Sequence, residues 1–354
     1  MAKTKYLGSE MNTLKDTADD TEVRGMRVAD IRPDEVMAGQ EAAMMEDIAW
    51  LKERHDQFES VNCPACGADK YTHLYEKWGL EHVLCRHCQT QYANPRPPAN
   101  LLAEFYRESK NYAYWAKYVF SASRDVRLER IFKPRAKILA DTLEKRGRRG
   151  GLLLEVGAAY GLFCEAVRET GQFDTIVALE PTPKLAQICR DLGFETLESS
   201  YEDACPPKAD AIAVFEVIEH LHDPSQFLRW CYENLNSGGC LFLTCPNVHG
   251  LETLALGREA GSVDHEHINL FHPESLKLLA EKCGFVDVDI TTPGQLDFDL
   301  VRQAVEESRV SEDDIGPFLS HLVKSADEEV SARFQKFIRE SRLSSHMMMM
   351  GFKS

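Results

Sequence analysis

Leu152-Leu153-Leu154-Glu155-Val156-Gly157-Ala158-Ala159-Tyr160-Gly161 is an apolar strand that ends on an acid and runs into a tight turn with a small residue at every second position. A backbone that must approach a ligand closely needs residues with little or no Cβ, and Gly157, Ala159 and Gly161 supply them. The spacing then narrows the ligand. A dinucleotide fingerprint places a third glycine five residues after the first, opening a helix for pyrophosphate. Here that position is Leu162, and Glu155 would repel a pyrophosphate. A second apolar run, Ile176-Val177-Ala178-Leu179-Glu180, ends on an acid 25 residues after Glu155. In nucleotide-binding α/β folds an acid at the second strand end accepts hydrogen bonds from ribose hydroxyls.

The spacing of 157, 159 and 161 resembles the first motif of the class I S-adenosylmethionine (SAM) methyltransferases. The resemblance implies a doubly wound, seven-stranded, mainly parallel α/β sheet of the Rossmann-like kind. It also implies a SAM site built from Glu155, Gly157, Ala159, Tyr160, Gly161, Glu180, Pro181, Phe215 and Glu216, with Glu155 suited to the methionyl ammonium. Phe215-Glu216-Val217-Ile218-Glu219-His220-Leu221-His222-Asp223-Pro224 resembles the fourth motif of ubiquinone-biosynthesis-like members, and this segment is expected to face the transferred methyl group.

Strands are expected at 152–156, 175–180, 194–197, 210–215, 240–245 and 285–291, with helices between most of them, as strand–helix alternation in a parallel sheet requires. The closing run His346-Met347-Met348-Met349-Met350-Gly351-Phe352 resembles the antiparallel seventh strand of that family, followed by the basic Lys353. The expected organisation is a mobile amino-terminal stretch (to about residue 28) and amphipathic helix over 1–59, a cysteine module over 60–98, and an aromatic-rich helical linker over 99–150. The SAM-binding core then covers 151–296, a helical insertion 297–345, and the final strand 346–354.

Cys63-Pro64-Ala65-Cys66 and Cys85-Arg86-His87-Cys88 are two CxxC pairs with eighteen residues between them. Two such knuckles complete a closed tetrahedral Cys₄ site, so a structural zinc ribbon is expected. The stretch through Tyr92, Pro95 and Pro97 to Phe105-Tyr106 and Tyr112, Tyr114 and Trp115 resembles the zinc module preceding some methyltransferases of sugar and secondary-metabolite pathways. Its aromatics either line the site or pack the linker on the core.

Methyl transfer is an in-line displacement in which alignment does much of the work. A hydroxyl or amine acceptor must also lose a proton, and His220 is the leading base because imidazole titrates near neutrality. Glu216, Glu219 and His220 stand at i, i+3 and i+4, one face of a helical turn. With His265 or His267 from Asp264-His265-Glu266-His267 they resemble the metal-binding pattern of small-RNA 2′-O-methyltransferases, which implies Mg²⁺ or Mn²⁺; zinc suits oxygen and imidazole ligands as well. The catalytic candidates are therefore His220, Glu219, His265 and His267.

The net charge is −16, against a surface built to hold phosphate backbones, so nucleic acid is not an expected partner. No apolar run reaches a membrane span, and eleven cysteines scattered through core segments suit reduced thiols in a cytoplasm. The expected function is SAM-dependent transfer to a hydroxyl of a small molecule, a sugar or secondary metabolite, with nitrogen and carbon acceptors left open. An RNA methyltransferase and a silent SAM-fold scaffold are the rivals. No oligomeric state is assigned.

Overall fold

In the computed structural model, residues 26–354 are described; the expected mobile stretch falls almost wholly on residues 1–25, outside the described residues. Eleven strands run in chain order: β1 Tyr71–Lys77, β2 Leu80–Cys85, β3 Gln91–Ala93, β4 Leu152–Val156, β5 Thr175–Leu179, β6 Glu195–Leu197, β7 Ala209–Phe215, β8 Leu235–Pro246, β9 Asn269–Leu270, β10 Val286–Thr291 and β11 His346–Phe352. Seven of them form one sheet in the order β10-β11-β8-β7-β4-β5-β6. β4, β5, β6, β7 and β8 are parallel, and β11 lies antiparallel between β8 and β10. Strand order reverses between β4 and β7, so their carboxyl ends open the crevice in which such sheets bind ligands.

The four methionines have a direct reason. β11 is an interior strand buried on both faces, and Met347 and Met349 join one side of the core while Met348 and Met350 join the other. A strand covered on both faces reads as an unbroken apolar run, and flexible thioethers fill the gaps between layers already packed.

The amino-terminal arm forms helix Gln40–Lys52 after two short turns. It is broken at Gly39, where a Cβ would stand 2.5 Å from the Tyr114 hydroxyl. Helices Ala99–Glu108, Lys110–Tyr114, Phe120–Arg127 and Lys133–Lys145 then lead into β4. After β10, helices Asp297–Glu306, Gly316–Ser325 and Glu328–Glu340 pack through Phe298, Val301, Ala304 and Leu319 against Val248 and Leu256.

The cysteine module is joined to the core. β1, β2 and β3 form an antiparallel sheet whose fourth strand is β9, and the core residues Ile218, Phe271 and Leu276 share one cluster with Cys63, Val83, Cys85 and Tyr92. Arg96 rivets the joint from full burial. Its guanidinium donates to the carbonyls of Ala93 (3.1 Å), His222 (3.2 Å) and Ile268 (3.4 Å) and to Asn269 Oδ1 (2.9 Å).

Candidate active site

Gly157 (φ +74°), Ala159 (φ +48°) and Gly161 (φ +65°) all take left-handed backbone in the turn after β4. At Gly157 a Cβ would lie 2.9 Å from Val217 Cγ2, so the turn and the segment after β7 approach to a distance only glycine allows. Ala159 is the costly member, because its Cβ resists this conformation, and such strain persists where surrounding contacts fix it. Glu180 supplies them. Its Oε2 accepts from the Ala159 amide (2.9 Å) and its Oε1 from the Thr182 amide (2.8 Å). Each oxygen keeps a second acceptor position. Pro181 is exposed on the rim beside it, and Tyr160 stacks on Phe120 (5.5 Å between ring centroids). Burial and then the charge of Glu180 push the Tyr112 hydroxyl up, with a hydrogen bond to Thr182 opposing, so the linker packs beside the end of β5.

Glu155 is buried beneath this turn, where its Oε2 accepts from the Cys164 amide (3.1 Å) and thiol (2.9 Å) at the start of helix Leu162–Thr170. Burial pushes its carboxyl up to about 8, with the field of Glu180 adding to the shift and the Cys164 bonds opposing it. The unfolded carboxyl ionises near its ordinary value, while the folded one stays protonated. The stability this contributes is therefore present at acid pH and lost as pH rises toward about 8. Thermal unfolding between pH 5 and 8 is expected to show the wild-type chain losing ground against Glu155→Gln, and parallel curves would contradict it.

A further prediction belongs to Glu180. Glu180→Ala removes both amide anchors of the turn and is expected to weaken S-adenosylhomocysteine (SAH) binding by about 1.5–3 kcal/mol, the scale of hydrogen bonds to a charged group. Calorimetry measures this directly, and unchanged affinity in a folded variant would place the cofactor elsewhere.

At the end of β7 the structure separates residues that the sequence pattern groups. Glu216 has φ +53° and leaves the helical path, and the turn Ile218–His220 begins only afterwards. Its Oε1 instead accepts from Thr244 Oγ1 (2.6 Å) and His346 Nε2 (2.8 Å), with Arg135 at 3.7 Å. Burial opposes ionisation there, but His346, Arg135 and Thr244 together hold the carboxyl well below the usual range. The expected metal set Glu216, Glu219 and His220 is thus corrected. The ligand atoms that converge, within 4.8 Å of one another, are those of Glu219, His220 and His267. Phe215 stays beside the turn, edge-on to Phe163 at 4.6 Å.

Glu219 is fully buried, and neither carboxylate oxygen has a hydrogen-bond partner. Burial, then the charge of Glu216, raises its carboxyl above the ordinary range. The His267 ring lies 4.7 Å from that of His220, and its Nδ1 is 2.9 Å from the Ser262 carbonyl. Burial alone would lower His267, but Asp264 and Glu219 raise it. His220 Nδ1 is 2.9 Å from the Tyr106 hydroxyl and 3.2 Å from the Glu266 carbonyl. A carbonyl only accepts, so that contact puts the proton on Nδ1 and leaves the Nε2 lone pair free. Burial, and next the charge of His267, lowers His220 to about 3, so it is not poised near neutrality but neutral throughout the physiological range.

His265 is drawn away from this group. It is buried against Phe105 and Trp78 and shares a cluster with Asp47 and Glu266. Asp47, from the amino-terminal arm, accepts from Ser109 Oγ (2.6 Å) and the amides of Lys110 (2.8 Å) and Asn111 (2.9 Å). Asn111 Nδ2 in turn donates to Glu266 Oε1 (2.7 Å). Sequence reasoning passed over Asp47, Asn111, Arg135 and His346. The available signals were an acid on the apolar face of a helix and a histidine entering the last strand at its ligand end.

The four module cysteines converge, with Cys63 and Cys88 sulfurs 3.4 Å apart and those of Cys66 and Cys85 3.5 Å apart. Four thiols in one closed cluster fit a tetrahedral ion of the zinc type.

Residues 127–290 match the family described as a methyltransferase domain, and the sheet order and glycine turn are of the kind the class I SAM-dependent methyltransferase resemblance implies. The chain is 33% identical over 110 residues to a ubiquinone biosynthesis O-methyltransferase of Xanthomonas campestris, a match covering 28% of this chain and 44% of that protein. It is 27% identical over 198 residues to the protein of the same name in Vibrio parahaemolyticus, covering 49% and 83%. The chain thus spans under half the length of the Xanthomonas relative. Among solved structures it is similar to the Burkholderia thailandensis 1,6-didemethyltoxoflavin-N1-methyltransferase with bound SAH, at 14% identity and a TM-score of 0.44 over 76% of this chain and 97% of that one. No helix of the described residues is long and apolar enough to cross a membrane.

Proposed function

We propose that this chain transfers the methyl group of SAM to a hydroxyl of a small molecule, a sugar or secondary metabolite, and that its cysteine module holds a structural zinc ion through Cys63, Cys66, Cys85 and Cys88. The observation that carries the reading is that the glycine turn braced by Glu180 and the segment bearing Glu219 and His220 leave the carboxyl ends of the adjacent strands β4 and β7, with Gly157 packed close to Val217 and His267 gathered to Glu219 and His220. A neutral His220 with a free Nε2 accepts the hydroxyl proton as the methyl carbon is attacked, and Tyr106 and the Glu266 carbonyl hold the ring in that orientation. The aromatic linker belongs to the site through Tyr106 and Tyr112.

The unpartnered carboxylate of Glu219 favours a second reading, in which Glu219, His220 and His267 hold a divalent ion such as Mg²⁺ or Mn²⁺. Such an ion would polarise the acceptor hydroxyl. The direct test incubates the chain with labelled SAM and a panel of sugars, phenols and catechols and follows label into product and SAH by chromatography. Calorimetry that finds no SAH binding would reject the reading in favour of a scaffold. RNA retention on filters is expected to be weak, as the net charge of −16 requires, and strong salt-sensitive retention would favour an RNA substrate instead.

A further inference from the structure

The linker helix is interrupted by two π-helical turns, Trp115–Val119 and Leu128–Phe132, on either side of helix Phe120–Arg127. Each π-turn lets one extra residue into the ladder and rotates the side chains that follow, and such turns are frequent at functional sites. Around them three arginines gather with aromatic rings. Arg127 lies over Phe120 (4.6 Å to the ring centroid), the residue that stacks on Tyr160 of the glycine turn. Its Nε donates to Ser123 Oγ (2.8 Å) and its Nη2 to the Ile31 carbonyl (2.9 Å), next to Arg32. Arg32 lies over Trp115 at 5.5 Å. Arg135 lies over Phe215 at 4.9 Å, with His346 Nε2 at 3.1 Å from its Nη2.

The charges around them do not balance. Among the described residues no carboxylate comes within 4 Å of Arg32 or Arg127, and Arg135 has only Glu216, at 3.7 Å. Glu252 contributes its field to Arg32, but its Oε1 is committed to the Gly261 amide at 2.7 Å. This is not for want of acids, since the chain has 57 of them against 41 lysines and arginines. Burial first, and then the positive fields of Arg32 and Arg135, work against the charge on Arg127, with the field of Glu216, the carboxylate nearest Arg135, the one opposing contribution. A guanidinium does not escape such a penalty by releasing its proton, so an arriving anion relieves it. The cofactor by itself does not restore balance, because SAM brings one carboxylate together with a sulfonium and an ammonium.

We propose that Arg32, Arg127 and Arg135 form an anion pocket beside the methyl-donor end of the crevice, and that it holds a carboxylate or phosphate group of the methyl acceptor. This rests on the methyl-transfer reading above and narrows its substrate class to acidic small molecules. Planar guanidinium groups suit both anions, since each offers paired N–H donors to paired oxygens. The carboxylate of the cofactor is the other source of the same chemistry, and the experiment separates the two.

Inorganic phosphate and benzoate are titrated calorimetrically into the full chain, with and without saturating SAH. Saturable binding to the SAH-loaded chain is expected, weakened about tenfold or more in Arg127→Gln and in Arg135→Gln, with SAH affinity held within about twofold. Arg127→Lys keeps the charge and is expected to retain part of the binding, and circular dichroism of each variant checks that the loss is not misfolding. If Arg127→Gln instead weakens SAH but leaves 5′-methylthioadenosine, which lacks the methionyl carboxylate, unaffected, the arginines serve the cofactor and the acceptor assignment is overturned. Absence of phosphate and benzoate binding to the SAH-loaded wild type overturns it equally. Binding of either anion without any binding of SAH would keep the pocket and remove the methyltransferase reading.

Discussion

Cys85→Ser is expected to release the module's metal and melt residues 60–98, and to carry the acceptor side of the crevice with it. Zinc in small structural sites contributes an apparent free energy of about 10–16 kcal/mol, which rivals or exceeds the net stability of a typical domain, about 5–15 kcal/mol. A ribbon with three short strands of its own has little core to replace that. The damage is expected to spread because β3 pairs with β9, and Arg96 ties Ala93 to Ile268 and Asn269. Those residues adjoin His265 and His267, so a loosened module frees the loop that completes the site. Metal analysis is expected to give one tightly held zinc in the wild type. Limited proteolysis and thermal unfolding should show the variant open in both 60–98 and 264–272. A zinc-free preparation that keeps a folded module under reducing conditions would refute the ribbon.

The second large effect is expected at His220. His220→Ala should lower kcat by roughly 10²–10⁴ and leave SAH affinity nearly unchanged, the split expected of a side chain that serves the acceptor and not the cofactor. Because His220 is neutral across the physiological range, the wild-type rate is not expected to fall with a histidine-like titration between pH 6 and 7. If the proton is taken directly by Nε2, brief EDTA treatment leaves turnover intact. If Glu219, His220 and His267 hold a divalent ion, EDTA abolishes turnover and added Mg²⁺ or Mn²⁺ restores it. Glu219→Gln then fails to the same degree as His220→Ala, because the ligands act as one unit. A His220→Ala chain with full turnover would sink both versions and leave alignment alone to explain the rate.

The parts legible in the sequence are those that local chemistry dictates. Gly157 and Gly161 announce a left-handed turn, the apolar runs ending on Glu155 and Glu180 announce neighbouring parallel strands, and paired CxxC knuckles announce four cysteine sulfurs gathered in one cluster. Each is settled within a few residues by backbone sterics, side-chain period or ligand spacing, so no knowledge of distant contacts is needed.

The tertiary structure decided what depends on contacts between distant segments. Helical spacing placed Glu216 beside Glu219 and His220, but a strained backbone at Glu216 turns it toward Thr244, Arg135 and His346, a residue 130 positions later. His267 meets Glu219 and His220 on the segment that leads into β9, the strand that completes the module's sheet. Asp47 meets His265 and Glu266 through the arm, and Arg127 meets Phe120 in the linker, where the sequence patterns say only that a helix buries one face. Helix periodicity fixes which residues share a face, whereas the partner of that face, and the burial that sets the charge of His220 and Glu219, follow from how the layers close on one another.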